Sequence, residues 1–227
     1  MRGVPPIATE EPGNRRSRRA RRRMELLDAA DNVIRRDGPA ASMEVIASEA
    51  GITKPILYRH FGDKGGLYTA LAERYAHALM TEITDSLQRE SLPRARLALT
   101  IDIYFAFLES EPQVYRFLVH GAQTERREVH EVIGAFIRAV ALEVASVTRN
   151  DLLVDNAPRA AFAEPLAFAI VGAVQMAGDW WLEDRSVPRA QLVEQLVTLV
   201  WDGFERYARE SDGPGERGHS QGSYRGA

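Results

Sequence analysis

Between Thr53 and Lys64 the chain places Thr53, Lys54, Tyr58, Arg59, His60 and Lys64, six hydrogen-bond donors within twelve residues. Threonine, tyrosine, histidine and lysine suit phosphate oxygens, and an arginine can address a guanine edge with two parallel hydrogen bonds. Ile56, Leu57 and Phe61 lie between them and can anchor the opposite face of the same segment. Upstream, Arg15, Arg16, Arg18, Arg19, Arg21, Arg22 and Arg23 form a run of seven arginines in nine positions. Alone, such a run is a solvated arm. Beside phosphate-seeking side chains it becomes the electrostatic part of a nucleic-acid footprint.

Enzymatic chemistry finds less support. The five histidines, His60, His77, His120, His130 and His219, include no His-Glu-x-x-His pair, and the chain has no Gly-x-Ser-x-Gly elbow and no phosphate loop. The absence of cysteine removes a thiolate nucleophile, a thiolate zinc site and a disulfide scaffold, and it is compatible with the cytoplasm. No apolar run approaches the roughly 18 residues of a membrane span, and no apolar segment of a secretory signal follows the N-terminal arginines. The expectation is a cytoplasmic protein with no catalytic residue, no metal site and no cofactor. A helical binding module without regulatory DNA binding is the nearer alternative to a DNA reader, and an enzyme the more distant one.

The elements that must position these residues read as helices throughout. Leu26, Leu27, Ala30, Val33 and Ile34 form a helical stripe that stops at Asp37-Gly38, where glycine suits a left-handed C-cap. Ser42 then caps a short helix through Met43, Val45, Ile46, Ala47 and Ala50. Gly51 breaks it, and Thr53 opens the donor-rich helix, with Pro55 tolerated in the first turn. Two short helices around a glycine turn have the form of a helix-turn-helix, whose second helix enters the major groove. After Gly62 a longer helix from about Lys64 carries Leu67, Leu71, Tyr75, Leu79 and Ile83. Its N-terminal dipole and Lys64 together offer a phosphate site.

Proline and glycine divide the remainder into helices near 93–110, 112–120, 126–149, 158–184 and 188–209. The first of these is apolar nearly all round, which predicts a central position. In the penultimate helix Ala169, Ala173 and Ala177 recur every four residues. In the last, Leu196, Val200 and Phe204 belong to an apolar face wider than one core contact requires. These six residues are the expected dimer interface. Residues 1–14 and 211–227 lack periodicity and are expected to be disordered tails flanking a DNA-reading unit at 15–66 and a larger helical unit at 67–210.

Charge supports this division. The 227 residues carry a formal charge of −3, with 45% apolar residues, enough for a sizeable core. Residues 1–80 hold 14 basic against 10 acidic residues, and the rest hold 15 against 22. The chain is a basic reader followed by an acidic body.

Residues 42–67, with Ile-Ala, Ala-Gly-Ile-Thr, Leu-Tyr-x-His-Phe and x-x-Lys-x-x-Leu in register, resemble the DNA-binding signature of the TetR family of bacterial transcriptional regulators. Lys-Pro-x-Leu-Tyr-x-His-Phe is also similar to actinobacterial members that regulate fatty-acid and lipid genes. The resemblance implies an all-α protein with an N-terminal three-helix helix-turn-helix domain and a larger C-terminal domain for ligand binding and homodimerisation. Carried over by position, Ser42, Thr53, Tyr58, His60 and Lys64 become phosphate contacts, and Lys54, Pro55 and Arg59 face bases. Pro55 replaces the more usual glycine or alanine. Arg18, Arg19 and Arg22 take the place of the minor-groove arm seen in some members. The implied function is a repressor binding a palindromic double-stranded DNA operator, with an apolar, lipid- or acyl-like effector. Tyr104, Phe105, Leu108, Phe117, Phe136 and Trp180 are the expected pocket residues.

Overall fold

The computed structural model describes residues 12–124, 127–149 and 160–209. Among them the regular structure is helical, with no strand: α1 Pro12–Asp37, α2 Met43–Glu49, α3 Lys54–Phe61, α4 Lys64–Arg89, α5 Pro93–Ser110, α6 Pro112–Thr124, α7 Arg127–Val147, α8 Ala163–Glu183 and α9 Arg189–Arg209, plus a 3-10 turn at Gly38–Ala40. The punctuation works as the sequence implies. Pro93 and Pro112 open helices where first-turn amides have no intrahelical acceptor. Gly38 and Gly51 end α1 and α2 with φ of +57° and +63°, values that L side chains rarely adopt.

The first helix differs from expectation. Pro12, Gly13 and Asn14, assigned above to a tail, form its first turn, and the arginine run lies within the helix rather than ahead of it. Arginine is a good helix former, and no glycine or proline interrupts residues 15–37. Residues 1–11 and the expected tail at 211–227 lie outside the described residues.

Leu26 and Ile34 of α1, Ile46 of α2, Leu57 of α3 and Leu67 of α4 are all but inaccessible and meet in one core. Each such side chain contributes about 1.5–3 kcal/mol through burial. This core does not stop at the three-helix unit. Val114 and Phe117 of α6 join it, and the Phe117 ring meets Tyr68 of α4 edge-on at 4.2 Å. A boundary at residues 66 and 67 therefore falls in the first turn of a shared helix: Leu67 and Leu71 of α4 serve the N-terminal core, while Leu79 and Ile83 serve another with Ile103 of α5.

α5 is central, as its two apolar sides imply. Ile101, Phe105 and Leu108 face Val174 and Trp181 of α8 and Val193 and Val197 of α9, while Ile103 and Phe107 turn toward α4 and α7. No helix among the described residues is long and apolar enough to cross a membrane.

Candidate nucleic-acid interface and ligand cavity

Ser42 holds the N-cap of α2, its Oγ accepting from the Val45 amide at 3.3 Å. Thr53 holds the same position on α3, but its side chain makes no capping bond. Its carbonyl accepts from the amides of Ile56 and Leu57, and the residue is exposed. Burial of Leu57 and Phe61 fixes the roll of α3. Thr53, Pro55 and Arg59 are thereby exposed, with Lys54, Tyr58 and His60 partly exposed beside them. Lys64 starts α4 with its ammonium 5.2 Å from the Tyr68 ring centroid.

Three residues that shape this surface are not among those singled out above. Asp63 caps α4, accepting from the Gly66 amide at 2.9 Å. At Gly66 an added Cβ would lie 1.9 Å from the Phe61 carbonyl oxygen, so the α3–α4 corner admits only glycine. Glu44 pairs with Lys54, which also lies 5.6 Å over the Tyr58 ring. The hydrogen bond from Lys54 holds the Glu44 carboxyl below its ordinary range. An aspartate just before a helix is a legible capping signal. The Glu44–Lys54 pair, ten residues apart across a turn, has no such signal.

The arginines of α1 adjoin this surface. Arg18 and Arg19 are exposed, and Arg22 donates to Glu25 at 2.8 Å. The Arg23 guanidinium lies 5.0 Å from the Phe61 ring centroid, which ties α1 to the end of α3. His60 is held below its ordinary value of 6.5, first by partial burial and then by the positive charges of Arg59, Arg19, Arg22 and Arg23. The recognition helix and the arginine helix therefore share one positive field. Arg59 and Arg19, forty residues apart in the sequence, both act on His60 and belong to one patch suited to phosphate.

In the C-terminal helices two apolar cavities adjoin. The one bordered by α9, here called outer, has a volume of about 320 Å³ and the one bordered by α6, here called inner, about 140 Å³, and they share walls at Ile83, Leu97, Thr100, Val140, Val144 and Ile170. Of the six expected pocket residues, Tyr104 and Phe136 line the inner cavity. The other four are corrected. Phe105, Leu108 and Phe117 lie at 0%, 0% and 2% exposure within solid core, and Trp180 is on the surface at 46%. Its neighbour Trp181 is the buried indole, donating from Nε1 to the Val187 carbonyl at 2.7 Å. Aromatic content indicated apolar volume, but only the packing of α5 between two layers decides which rings border a void.

Two polar chains touch the inner cavity. Tyr104 donates to Tyr115 at 3.3 Å, and Tyr115 donates to Asp179, joining α5, α6 and α8. Burial holds both phenols above their ordinary range. On the other side, the Tyr75 hydroxyl donates to the buried Asp31 of α1. Arg35 bridges Asp31 at 3.2 Å and Glu111 at 3.0 Å. Tyr75 thus walls the cavity with its ring and fastens the DNA-reading unit with its hydroxyl.

The expected dimer residues divide. Ala169 and Ala173 are exposed on α8, on a face continued by Phe168, Met176 and Trp180. Ala177 and Leu196 instead pack against the α5–α8–α9 core, and Val200 and Phe204 line the outer cavity. All four are half-buried: α9 turns Val193 and Val197 inward, which sets Leu196 and Val200 on the flanks and leaves Leu199 at 73% exposure, while Ala177 lies on α8.

Residues 26–71 match the family model for bacterial regulatory proteins of the tetR family, and residues 82–216 match that for a tetracyclin repressor-like C-terminal domain. The chain is similar to the HTH-type transcriptional activator FasR of Mycolicibacterium smegmatis, with 30% identity over 201 residues, covering 88% of this chain and 90% of FasR. Two solved structures share the fold. One is a tetR-family transcriptional regulator from Streptomyces coelicolor, with a TM-score of 0.66, 23% identity and 83% of each chain covered. The other is the transcriptional regulator FadR from Bacillus subtilis in complex with stearoyl-CoA, with a TM-score of 0.68, 16% identity, and 79% of this chain and 98% of that one covered.

Proposed function

The chain belongs to the TetR family of bacterial transcriptional regulators, and from that premise we propose that it binds a palindromic double-stranded DNA operator as a homodimer and answers to an apolar small molecule. The observation that carries the DNA reading is the single positive patch formed by Arg59 and His60 of α3 with Arg19, Arg22 and Arg23 of α1. Arg59 is exposed on the outer face of α3, as base readout requires. Ser42, Thr53, Tyr58 and Lys64 flank it as phosphate contacts, with Lys54 and Pro55 beside it at the start of α3. The arginines of Arg18–Arg22 reach the neighbouring backbone or minor groove from a helix rather than a loose arm.

Pairing of two copies through the exposed apolar face of α8, around Phe168, Ala169, Ala173 and Met176, would set two recognition helices on half-sites about 34 Å apart. The paired cavities support an effector of mainly apolar character, and the stearoyl-CoA bound to the B. subtilis FadR supports an acyl or lipid class. Occlusion of a promoter gives repression. FasR is named an activator, so the position of the operator relative to the promoter decides the sign.

The test is genome-wide operator mapping with the full chain, followed by fluorescence anisotropy on the mapped site. Arg59→Ala is expected to lose preference for that site over random DNA while keeping the helical fold. Undiminished preference would remove α3 from sequence readout.

A further inference from the structure

Four hydroxyl-bearing side chains, Tyr75, Thr100, Tyr104 and Tyr115, line the inner cavity. The direction of each of their hydrogen bonds follows from chemistry. Asp31 and Asp179 are carboxylates, which accept only, so Tyr75 and Tyr115 must be the donors to them. With the Tyr115 proton committed to Asp179, the bond of 3.3 Å between the two phenols requires Tyr104 to donate to Tyr115. Thr100 donates to the Arg96 carbonyl at 2.9 Å. All four protons are therefore committed to acceptors of the protein; the Tyr75 oxygen is engaged by Asp31, and the Tyr104 and Tyr115 phenols are left with lone pairs alone for a ligand. No lysine, arginine or histidine lines this cavity among the described residues. Gln175, also at its wall, carries both a donor and an acceptor and serves either kind of ligand.

We propose that the inner cavity is a subsite for a neutral hydroxyl group: the effector is an apolar molecule whose alcohol or phenol end donates to the Tyr104–Tyr115 oxygens, with its apolar remainder in the outer cavity. This rests on the apolar-effector reading above and narrows it. A ketone of the same length brings only an acceptor: it sets lone pair against lone pair at Tyr104 and Tyr115 and finds a donor only in the Gln175 amide. In the inner cavity a carboxylate would have to shed its hydration with no cation to receive it; Arg96 lines the outer cavity only, where its Nε donates to the Glu90 carbonyl at 2.7 Å. The inner volume of about 140 Å³ is close to that of a cavity that holds benzene, so it takes the hydroxyl-bearing end of a chain or a single ring. The 320 Å³ outer cavity takes the rest. Asp179 sets the preference although it does not line the cavity, because it dictates where the Tyr115 proton points.

The experiment uses the full-length protein loaded with N-phenyl-1-naphthylamine, a neutral fluorescent probe, and displaces it with 1-decanol, 2-decanone or decanoate. Wild type is expected to bind 1-decanol about two- to ten-fold more tightly than 2-decanone, the value of one neutral hydrogen bond, with decanoate weaker than decanol. Asp179→Asn lets the side-chain amide donate to Tyr115 and frees the Tyr115 proton to turn inward, so the alcohol-to-ketone ratio should fall to unity or invert. Tyr104→Phe removes the receiving oxygen and should lower decanol affinity while sparing 2-decanone. Equal binding of decanol and decanone by wild type, or a ratio unmoved in both variants, overturns the hydroxyl subsite while the apolar-effector reading stands. Failure of the probe and all three ligands to bind overturns both.

Discussion

Tyr75→Phe removes one oxygen at the junction of the cavity and the DNA-reading unit. Asp31 is 7% exposed, so water cannot readily replace the lost donor. Arg35 remains 3.2 Å away, but its side chain is half exposed and also serves Glu111. A hydrogen bond to a charged acceptor is worth about 1.5–3 kcal/mol, and that is the expected loss in stability. Phenylalanine keeps the ring packing against Phe107, 5.9 Å between centroids, so the loss reports the hydroxyl alone. Urea denaturation of the full chain followed by circular dichroism measures it, within a cycle that includes Asp31→Ala and the double variant. In the Asp31→Ala background Tyr75→Phe should cost less than about 0.5 kcal/mol, the scatter of additivity at uncoupled sites. The same cycle read as operator affinity with and without effector tests whether the cavity wall communicates through this bond. Additive losses would refute both the energetic coupling and the route from cavity to α1.

Replacing Arg18 and Arg19 by alanine should reduce the slope of log binding constant against log salt by roughly 0.9 for each phosphate they neutralise; an unchanged slope in anisotropy titrations would detach α1 from the DNA. His60, depressed below 6.5 in the free protein by burial and four arginines, should regain its proton beside phosphate. Binding then takes up a proton, so operator affinity should rise as pH falls toward the lowered value of the free protein, and His60→Gln should flatten that rise. In folding the sign is opposite: a depressed His60 contributes stability above 6.5 that is lost as pH falls through its lowered folded value, measurable as a wild-type to His60→Gln difference in melting temperature. Gly66→Ala drives a Cβ into the Phe61 carbonyl oxygen, backbone that can yield only by moving the corner. Operator binding should be lost, with a melting temperature several degrees lower; a variant that binds normally would refute the constraint on α3.

The helix-turn-helix was legible because its signals are local. Ser42 and Gly51 punctuate α2, and the pattern of Leu57 and Phe61 against Tyr58, Arg59 and His60 is complete within two helical turns. The central position of α5 was legible for the same reason, since apolarity on both sides has one remedy. The cavity was not. Phe105 and Tyr104 are adjacent and both aromatic, yet one is sealed in the core and the other borders a void. That difference depends on how α8 and α9 roll against α5, which periodicity within a single helix does not contain.

The amino-acid sequence by itself determined an all-helical chain with a basic reader and an acidic body, because helix caps, stripes and charge runs act over a few residues. Tertiary structure decided what had to be brought together from afar. It made the arginine run part of α1 and set it beside His60, and it joined Tyr75 to Asp31 across forty-four residues and Tyr115 to Asp179 across sixty-four. A hydrogen bond needs placement to a few tenths of an ångström, and only the packed helices supply it.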